Sequence, residues 1–456
     1  MKTLIISLII LFGTLLLNSQ KNYIIRFQIK GMQNNAALLY SVYGDNTTII
    51  DTAYVTEDKK IAFLLNDSNH IGMYRCLFGN NRYLDVIFNK ENIDIITTYS
   101  QPGDSAQVIA SVENRLLYNY FKLNRIYEMK SEYLIPVIRF YPEHDDFYKL
   151  ADKEYNNLQK GRDEYIDEIV KKYPNLIVAK YLKTKKSPII DTKMPDNEKV
   201  NYLKNHFFDN VDFNDTILLY TDAYSTKVIS FLQLHKDEDA DRHQEELNYI
   251  KGVDALMTHI SNKDKAYNYI LEYLVKGFEK FKFEEVLEYI ASNYTAAKTC
   301  ENEERKSKLQ QSLDFYKKTA IGQTASNITL KNKDGKEITM SDIEKDYTLI
   351  IFWQTTCPHC EELFPKIKKY YDKAENRNFE IYAVSIDTNT EKWKKIITEG
   401  NLNWINVNEP NGWDNKILDN YNIYATPTML LIDKNRTIIA KPITIPELKQ
   451  AIKNIQ

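Results

Sequence analysis

The sequence predicts a multidomain protein with an N-terminal all-β sandwich or barrel, an all-α middle domain and a C-terminal α/β domain. The chain has 456 residues, which suggests about three domains at roughly 150 residues each. The hydrophobic pattern also changes period twice, from strand-like alternation to helical spacing and then to alternating strands and helices. Hydrophobic residues make up 43% of the chain and charged residues 27%, a composition typical of globular domains.

The first 19 residues predict a signal peptide. Lys2 precedes an apolar run over residues 4–17, followed by polar sequence, which is the order found in secretory signals. We therefore expect export to the periplasm or cell envelope. Leu17 and Ser19 form a poor small-x-small cleavage site, so an uncleaved N-terminal anchor stays an alternative. No Cys follows the apolar run, which argues against a lipid anchor.

Residues 20–110 predict a β-rich accessory domain. Short apolar-polar alternations separated by Gly, Asn and Asp turns indicate an antiparallel sandwich or barrel. The predicted strands are 23–29, 36–42, 61–65, 74–78, 83–88 and 93–98.

Residues 111–318 predict a helical domain, because apolar residues there recur at helical spacing. Prolines are expected to break these helices. The predicted break points are Pro136, Pro142, Pro174, Pro188 and Pro195.

Residues 319–456 predict alternating strands and helices. A strand ends at Trp353, and a helix starting at a Cys-x-x-Cys motif runs to about residue 376. Ser341 is expected to begin a capping box for a short helix. The remaining predicted elements are a strand at 379–386, a helix capped near 388–391, a helix at 414–421, an antiparallel pair at 428–432 and 437–440, and a last helix opened by Pro446.

The Cys-x-x-Cys motif predicts thiol chemistry. Cys357 lies where a helix begins, and the free N–H groups there favour a thiolate. Pro358 occupies the first helical position, and His359 adds a donor and, when protonated, a positive charge. Cys360 lies three residues on, on the same helical face and within disulfide reach. We expect Cys357 to attack a substrate and Cys360 to resolve the mixed disulfide.

Other uses of these cysteines are weaker explanations. A structural zinc site normally needs a second matched pair of ligands, so no metal is expected, and the predicted chemistry requires no cofactor. A static disulfide between Cys357 and Cys360 stays an alternative. Cys76 and Cys300 are expected to be buried unpaired thiols, with a bridge between them as the alternative. The chain carries 60 basic and 63 acidic residues, a net charge of −3, and no basic block indicates nucleic-acid binding.

With these residues in place, the C-terminal region resembles the thioredoxin superfamily, and within it the periplasmic TlpA/ResA-like thiol–disulfide oxidoreductases. The resemblance implies a thioredoxin-like fold, a proline that kinks the helix of the Cys motif, and a cis-proline that packs against the cysteines. It also implies that the residue before the cis-proline offers its backbone to an extended substrate. The residues that carry it are Trp353, Cys357, Cys360, Pro365, Thr426 and Pro427.

Two positions depart from that family pattern. Ile351 stands where thioredoxin has a buried Asp, and Leu363 stands where ResA-like proteins have a buried Glu. The usual proton acceptor for Cys360 is therefore missing from both places, and Glu361 or Glu362 is the nearest substitute. The dipeptide Pro358-His359 matches oxidising DsbA-type enzymes, which leaves the direction of electron flow open.

The predicted function is an exported thiol–disulfide oxidoreductase that exchanges disulfides with protein substrates. The expected partners are protein thiols and disulfides, together with a membrane electron donor or acceptor. A β segment with Ile49-Ile50-Asp51-Thr52-Ala53 is followed by a helical region and the thioredoxin-like region. This arrangement resembles multidomain exported proteins of Bacteroidetes-type bacteria, which implies an accessory or partner-binding role for the β domain. A partner-binding scaffold with a redox-inactive thioredoxin-like domain is the alternative, and a thiol peroxidase ranks last.

Overall fold

The computed structural model describes residues 21–32, 36–261, 264–295, 303–373 and 378–454. The predicted signal peptide and Cys300 lie outside these described residues. The chain forms two compact units, one of Met1–Glu238 with Lys251–Tyr273, the other of Asp239–Ile250 with Leu274–Gln456. Within the described ranges, no helix combines the length and apolar character needed to cross a membrane.

The N-terminal region is a β sandwich, as predicted, but it is not wholly antiparallel, because the strand Asn22–Lys30 pairs parallel with Ile93–Thr98. In the described part of the chain, its strands form two four-stranded sheets. Tyr23, Ile25, Phe27 and Ile29 alternate inward along the first strand and enter a core between the sheets. The strands are β1 (Asn22–Lys30), β2 (Ala36–Tyr43), β3 (Asn46–Tyr54), β4 (Lys60–Asn66), β5 (Gly72–Leu77), β6 (Tyr83–Phe88), β7 (Ile93–Thr98) and β8 (Gln107–Ala110). The sheet orders are β4-β1-β7-β8 and β3-β2-β5-β6.

The middle region is helical, as predicted, and its first two helices begin at polar caps. The side chain of Ser111 accepts a hydrogen bond from the Asn114 amide, and that of Asp145 accepts one from the Phe147 amide. The helices are α1 (Val112–Phe140), α2 (Asp146–Lys172), α3 (Ile177–Lys185), α4 (Asp196–His206), α5 (Ala223–Gln233), α6 (Arg242–Thr258), α7 (Tyr267–Phe281), α8 (Glu284–Asn293) and α9 (Glu303–Lys318).

The prediction that Pro136 breaks a helix was wrong. Pro136 lies inside α1, which continues to Phe140. A proline inside a helix removes one backbone hydrogen bond and crowds the preceding turn. Here it falls near the end of a 29-residue helix, so few residues remain beyond the lost bond.

The C-terminal region has the predicted α/β architecture, a mixed sheet covered on both faces. Its elements are β9 (Thr329–Asn332), β10 (Glu337–Thr339), β11 (Tyr347–Trp353), α10 (Pro358–Lys373), β12 (Phe379–Ser385), α11 (Thr390–Glu399), β13 (Ile405–Asn408), α12 (Lys416–Tyr421), β14 (Thr428–Asp433), β15 (Ile438–Ala440) and α13 (Ile445–Lys453). Among the described residues the strand order is β10-β9-β13-β12-β11-β14-β15.

Strand β11 lies in the middle of that sheet and carries the chain toward the Cys motif. It pairs parallel with β12 and antiparallel with β14. Leu349 and Ile351 face a core formed with α10, α11 and α13, whereas Ile350 and Phe352 face the opposite core with α12. Burial on both faces explains why this strand is a continuous apolar run.

The predicted caps in this region had mixed outcomes. Asn389 caps α11 through a hydrogen bond from the Lys392 amide, and Pro446 lies in the first turn of α13, both as predicted. The capping box at Ser341 was wrong. Met340–Asp342 form a single 3₁₀ turn, and Ser341 instead bonds to the side chain of Asn327.

Candidate active site

Cys357 lies directly before the first residue of α10 and caps that helix with its sulfur. Its Sγ accepts a hydrogen bond from the backbone amide of Cys360 at 3.2 Å. This is the bond that a Ser or Thr side chain makes at a helix N-terminus. The side chain of Cys357 is half-buried, so one of its sides is open to solvent. The amide and the helix dipole support negative charge on this sulfur.

Cys360 occupies the first turn of α10 and is buried. Burial, reinforced by a hydrogen bond that the Cys360 thiol donates to the Cys357 side chain, raises the pKa of Cys360 to about 12. Cys360 is therefore held as a protonated thiol at neutral pH. The two sulfurs differ in accessibility and in their polar surroundings, although only two residues separate the cysteines in the sequence.

The predicted Thr426–Pro427 segment lies beside Cys357, and its peptide bond is cis as the family resemblance implied. The pairing of β11 with β14 aligns Phe352 with Thr428 and so brings the two loops together. The carbonyl oxygen of Thr426 accepts a hydrogen bond from Cys357 Sγ at 3.2 Å. The sheet thus joins two segments that lie 69 residues apart in the sequence.

A buried carboxylate, Asp387, holds the loop that leads into the Cys motif. Its oxygens accept hydrogen bonds from the Thr355 amide at 3.0 and 3.1 Å and from the Thr355 hydroxyl at 2.6 Å. The Ser385 hydroxyl donates to it at 2.7 Å, and Asn408 donates to its backbone carbonyl at 3.0 Å. Thr355 is two residues before Cys357, so this network fixes the backbone from which Cys357 projects.

The sequence analysis missed Asp387, although a usable signal was present. Asp387 follows β12, and Thr355 follows β11, which pairs parallel with β12. The carboxyl ends of parallel strands meet at the same edge of a sheet, where functional residues of α/β folds gather. A polar pair after two neighbouring parallel strands could therefore have been predicted to meet.

A cavity of about 420 Å³ adjoins both cysteines. Aromatic and aliphatic side chains form much of its wall, and Glu361 and Lys368 stand at its polar part. Such a lining suits an apolar group with a few polar contacts around it. Its apolar lining residues are Trp353, Phe364, Pro365, Ile396 and Leu402.

Another group near the cis-proline comes from α8, in the same compact unit. The Lys441 ammonium pairs with Glu284 at 3.0 Å and with Glu288 at 2.9 Å, and the Tyr424 hydroxyl donates to Glu284 at 3.1 Å. Burial alone would lower the pKa of Lys441, but the two carboxylates outweigh it, so that pKa is raised. The chain just before Thr426 is thereby tied to α8.

The other predicted site residues lie around the cysteines in different settings. Trp353 ends β11, is buried, and packs its ring 4.6 Å from the ring of Phe364. Pro358 opens α10 and is exposed, as is His359. Pro365 lies inside α10, which continues to Lys373.

The two departures from the family pattern are apolar in the structure as well. Ile351 and Leu363 are buried in the core against α10, whereas Glu361 and Glu362 are exposed. Among the described residues, the buried carboxylate closest to the Cys motif along the sequence is therefore Asp387. It accepts a hydrogen bond from Thr355, which lies two residues before Cys357.

Comparison with known proteins agrees with this arrangement. Residues 321–441 match the AhpC/TSA family. The thiol–disulfide oxidoreductase ResA of Bacillus cereus is 29% identical over 126 residues, which cover 27% of this chain and 70% of ResA. ResA of Geobacillus thermodenitrificans is 28% identical over 147 residues, 31% of this chain and 83% of that protein.

A solved structure matches the same part of the chain. It is the thioredoxin domain of a thiol–disulfide oxidoreductase from Bacteroides vulgatus, at 29% identity and a TM-score of 0.28. The match covers 30% of this chain and 97% of that one.

The α/β fold, the Cys-x-x-Cys helix start and the sequence relatives support a thioredoxin-like C-terminal domain in a multidomain chain. This domain is similar to proteins named thiol–disulfide oxidoreductase ResA.

Proposed function

We propose that this protein is an exported thiol–disulfide oxidoreductase that exchanges disulfides with protein substrates through Cys357 and Cys360. The difference between the two sulfurs is the observation that carries the proposal. Cys357 is half-buried, and its Sγ accepts a hydrogen bond from the Cys360 amide at 3.2 Å. Cys360 is buried, and its pKa is raised to about 12. An accessible sulfur supported as an anion attacks first, and a protected thiol acts second.

The exchange then proceeds in two balanced steps. The Cys357 thiolate attacks one sulfur of a substrate disulfide, so that a mixed disulfide forms and the other substrate sulfur leaves as a thiolate. Cys360 gives up its proton to the leaving thiolate or to solvent and attacks Cys357 Sγ, which breaks the bond between Cys357 and the substrate and releases the second substrate sulfur as a thiolate. The products are a Cys357–Cys360 disulfide and a reduced substrate, and the reverse sequence oxidises a substrate dithiol.

Thr426, Pro427 and the cavity beside the cysteines support a protein substrate. Thr426 O lies 3.2 Å from Cys357 Sγ, so an extended segment that follows Thr426 carries its own sulfur past Cys357. The apolar wall of the cavity, with Trp353 and Phe364, suits an apolar side chain of such a segment. Asp387 acts as a positioning residue, because it holds Thr355 and the backbone before Cys357.

The N-terminal segment supports a location in the periplasm or cell envelope, with residues 1–19 as a cleaved signal or as an anchor. Export places the protein where disulfides persist. A membrane electron donor or acceptor would restore the Cys pair after each cycle. The Pro358-His359 dipeptide favours the oxidising direction.

The reduction potential of the Cys357–Cys360 pair tests the proposal. The full chain is equilibrated in a glutathione series, alkylated, and the peptide that holds both cysteines is quantified by mass. We expect one reversible two-electron transition. A midpoint near about −120 mV indicates an oxidant, and one below roughly −250 mV indicates a reductase.

Cys360→Ser provides the second arm, because removal of the resolving thiol should leave Cys357 joined to its substrate in a mixed disulfide. Cys357→Ser should trap nothing, and Cys76→Ala serves as the matched control. A pair that stays oxidised or reduced throughout the series would favour the partner-binding scaffold instead.

A further inference from the structure

Helix α1 has two apolar faces, and α2 covers one of them. The two helices pack along each other in the first compact unit. The guanidinium carbon of Arg162 lies 4.2 Å from the ring centre of Tyr127, and Lys130 pairs with Glu154 at 2.6 Å. Tyr127 and Lys130 therefore mark the face of α1 that α2 occupies.

A second apolar face, which we call the outer stripe, runs along the other side of α1. Its members recur at intervals of three and four residues, and all of them are exposed. The four largest have between 47% and 78% of their surface open to solvent. A helix turns about 100° per residue, which places the centre of the outer stripe roughly 140° from Tyr127. The outer stripe consists of Ile126, Met129, Tyr133, Pro136 and Phe140.

This spacing is that of a helix seam. Apolar residues at alternating intervals of three and four form the contact line between two paired helices. A helix that is apolar on more than one face is normally buried on each of them. Single exposed apolar residues are common on protein surfaces, but a contiguous apolar row of this length marks an interaction site.

We propose that the outer stripe packs against the outer stripe of a second copy of this chain, which makes the protein a two-fold symmetric dimer. In such a dimer one surface patch meets itself, so an apolar row on one straight helix provides its own complement. The exposed Glu132 and Arg139 lie along one edge of the stripe with opposite charges, and this edge meets itself when the two helices pair antiparallel, so Glu132 of one copy approaches Arg139 of the other.

The available area fits a weak, transient dimer. Five side chains exposing about 100 Å² each give about 500 Å² per copy and about 1,000 Å² in total, which is the size at which specific interfaces begin. We therefore expect a dimer that dissociates on dilution. An anionic lipid surface fits less well, because two acidic side chains are exposed nearby, Glu143 in the turn before α2 and Asp146 at the first position of α2.

Sedimentation velocity of the full chain over a concentration series tests the proposal. Wild type should show a dimer that gives way to monomer on dilution. Tyr133→Glu puts a charge in the middle of the outer stripe, and we expect the dimer to dissociate at least about 10-fold more readily. Ile135→Glu is the matched control, because Ile135 is 45% exposed on the same helix and lies about 140° from the stripe. It should retain the wild-type dimer.

Circular dichroism melts of both variants establish that each is folded, and flotation with vesicles that contain anionic phosphatidylserine separates a lipid occupant. Three outcomes overturn the proposal: a wild-type monomer at every concentration, equal effects of Tyr133→Glu and Ile135→Glu on the mass, or loss of vesicle binding in Tyr133→Glu without a change in mass. A dimer that Tyr133→Glu alone weakens supports it.

Discussion

Cys76 and Cys357 are both unpaired cysteines, one within a β strand and the other just beyond the end of one. The surroundings of the two sulfurs differ in almost every other respect. Cys76 lies within β5, with Leu39 and Leu84 opposite it on the neighbouring strands, and is fully buried. Cys357 lies beyond the end of β11, half-buried, with a backbone amide and a carbonyl on its sulfur. A strand interior surrounds a thiol with apolar side chains, whereas a strand-to-helix junction surrounds it with backbone dipoles.

The comparison shows that the backbone position decides what a cysteine can do. Burial raises the pKa of the Cys76 thiol well above its ordinary value, so this sulfur is neither ionised nor accessible. Both cysteines are associated with a β strand. Only the junction between β11 and α10, however, leaves backbone polar groups free to contact a sulfur. Four predictions test this contrast, from the largest expected effect to the smallest.

The first prediction concerns alkylation by iodoacetamide. Cys76 can react only when the sandwich opens, and an opening free energy of 5 kcal/mol or more implies at least about 10³-fold protection. We therefore expect Cys357 to be modified at least about 10³-fold faster than Cys76. Peptide mass mapping over a time course measures both rates. In denaturant the two rates should converge, and rapid native modification of Cys76 would refute the contrast.

The second prediction concerns Asp387. Its hydrogen bonds fix the position of Thr355, whereas apolar packing fixes the position of Cys76. Asp387→Ala leaves the Thr355 amide and two hydroxyls without their acceptor. We expect a loss of about 2–4 kcal/mol in the free energy of unfolding and a fall of roughly 10–100-fold in the exchange rate as Cys357 loses its position. Urea unfolding and insulin reduction measure the two effects.

Asp387→Asn separates position from charge in that experiment. It retains one acceptor oxygen, so part of the stability should return, and the reduction potential then reports what the carboxylate charge contributes. Asp334→Ala, in an exposed hairpin turn, is the matched control and should leave stability and rate unchanged. A wild-type exchange rate and potential in Asp387→Ala would remove its positioning role.

The part of the site that is local in sequence was predictable, and the part assembled by the sheet was less so. Trp353, Cys357 and Cys360 are contiguous with β11 and the start of α10, so pattern and capping chemistry located them. Pro427 came from a family resemblance. Asp387 lies 32 positions after Thr355 and reaches it only because β12 lies beside β11.

The fold shows the same division. Strands with one buried face alternate in sequence and were predicted, as β1 was. Strand β3 was not among the predicted strands, because nearly every residue in it is exposed and no apolar alternation marks it. The prediction of a helix end at Pro136 was wrong, because the stability that a proline removes from a helix depends on how many helical residues follow it.

The third prediction concerns a buried carboxyl group that has both apolar surroundings and backbone amides as hydrogen-bond donors. Burial raises the pKa of Glu246 to about 7, although the amides of Glu285 and Val286 and the Arg242 guanidinium support its charge. The folded state therefore binds more protons than the unfolded state between the ordinary carboxyl pKa of about 4.5 and about 7. The contribution of Glu246 to stability is present at low pH and is lost as pH rises through this window.

We expect the free energy of unfolding to fall by about 1–2 kcal/mol through the ionisation of Glu246 as the pH rises from 5 to 7. Glu246→Gln should flatten that part of the profile, as measured by urea midpoints of the full chain at several pH values. Glu399→Gln, which changes an exposed glutamate of α11, should keep the wild-type slope. An unchanged slope in Glu246→Gln would assign the pH dependence to other groups.

The fourth prediction places one substitution at both cysteines. Cys76→Ser puts a hydroxyl into the apolar core between Leu39 and Leu84, where it costs about 1–2 kcal/mol of unfolding free energy without a polar partner. Cys357→Ser retains a capping oxygen at the start of α10 and should change stability by less than about 0.5 kcal/mol. Its exchange rate should nevertheless vanish, while Cys76→Ser keeps the wild-type rate and reduction potential. Urea unfolding and the glutathione titration together measure this crossed pattern. A stability loss at Cys357 equal to that at Cys76 would mean that the helix start depends on sulfur packing as the sandwich core does.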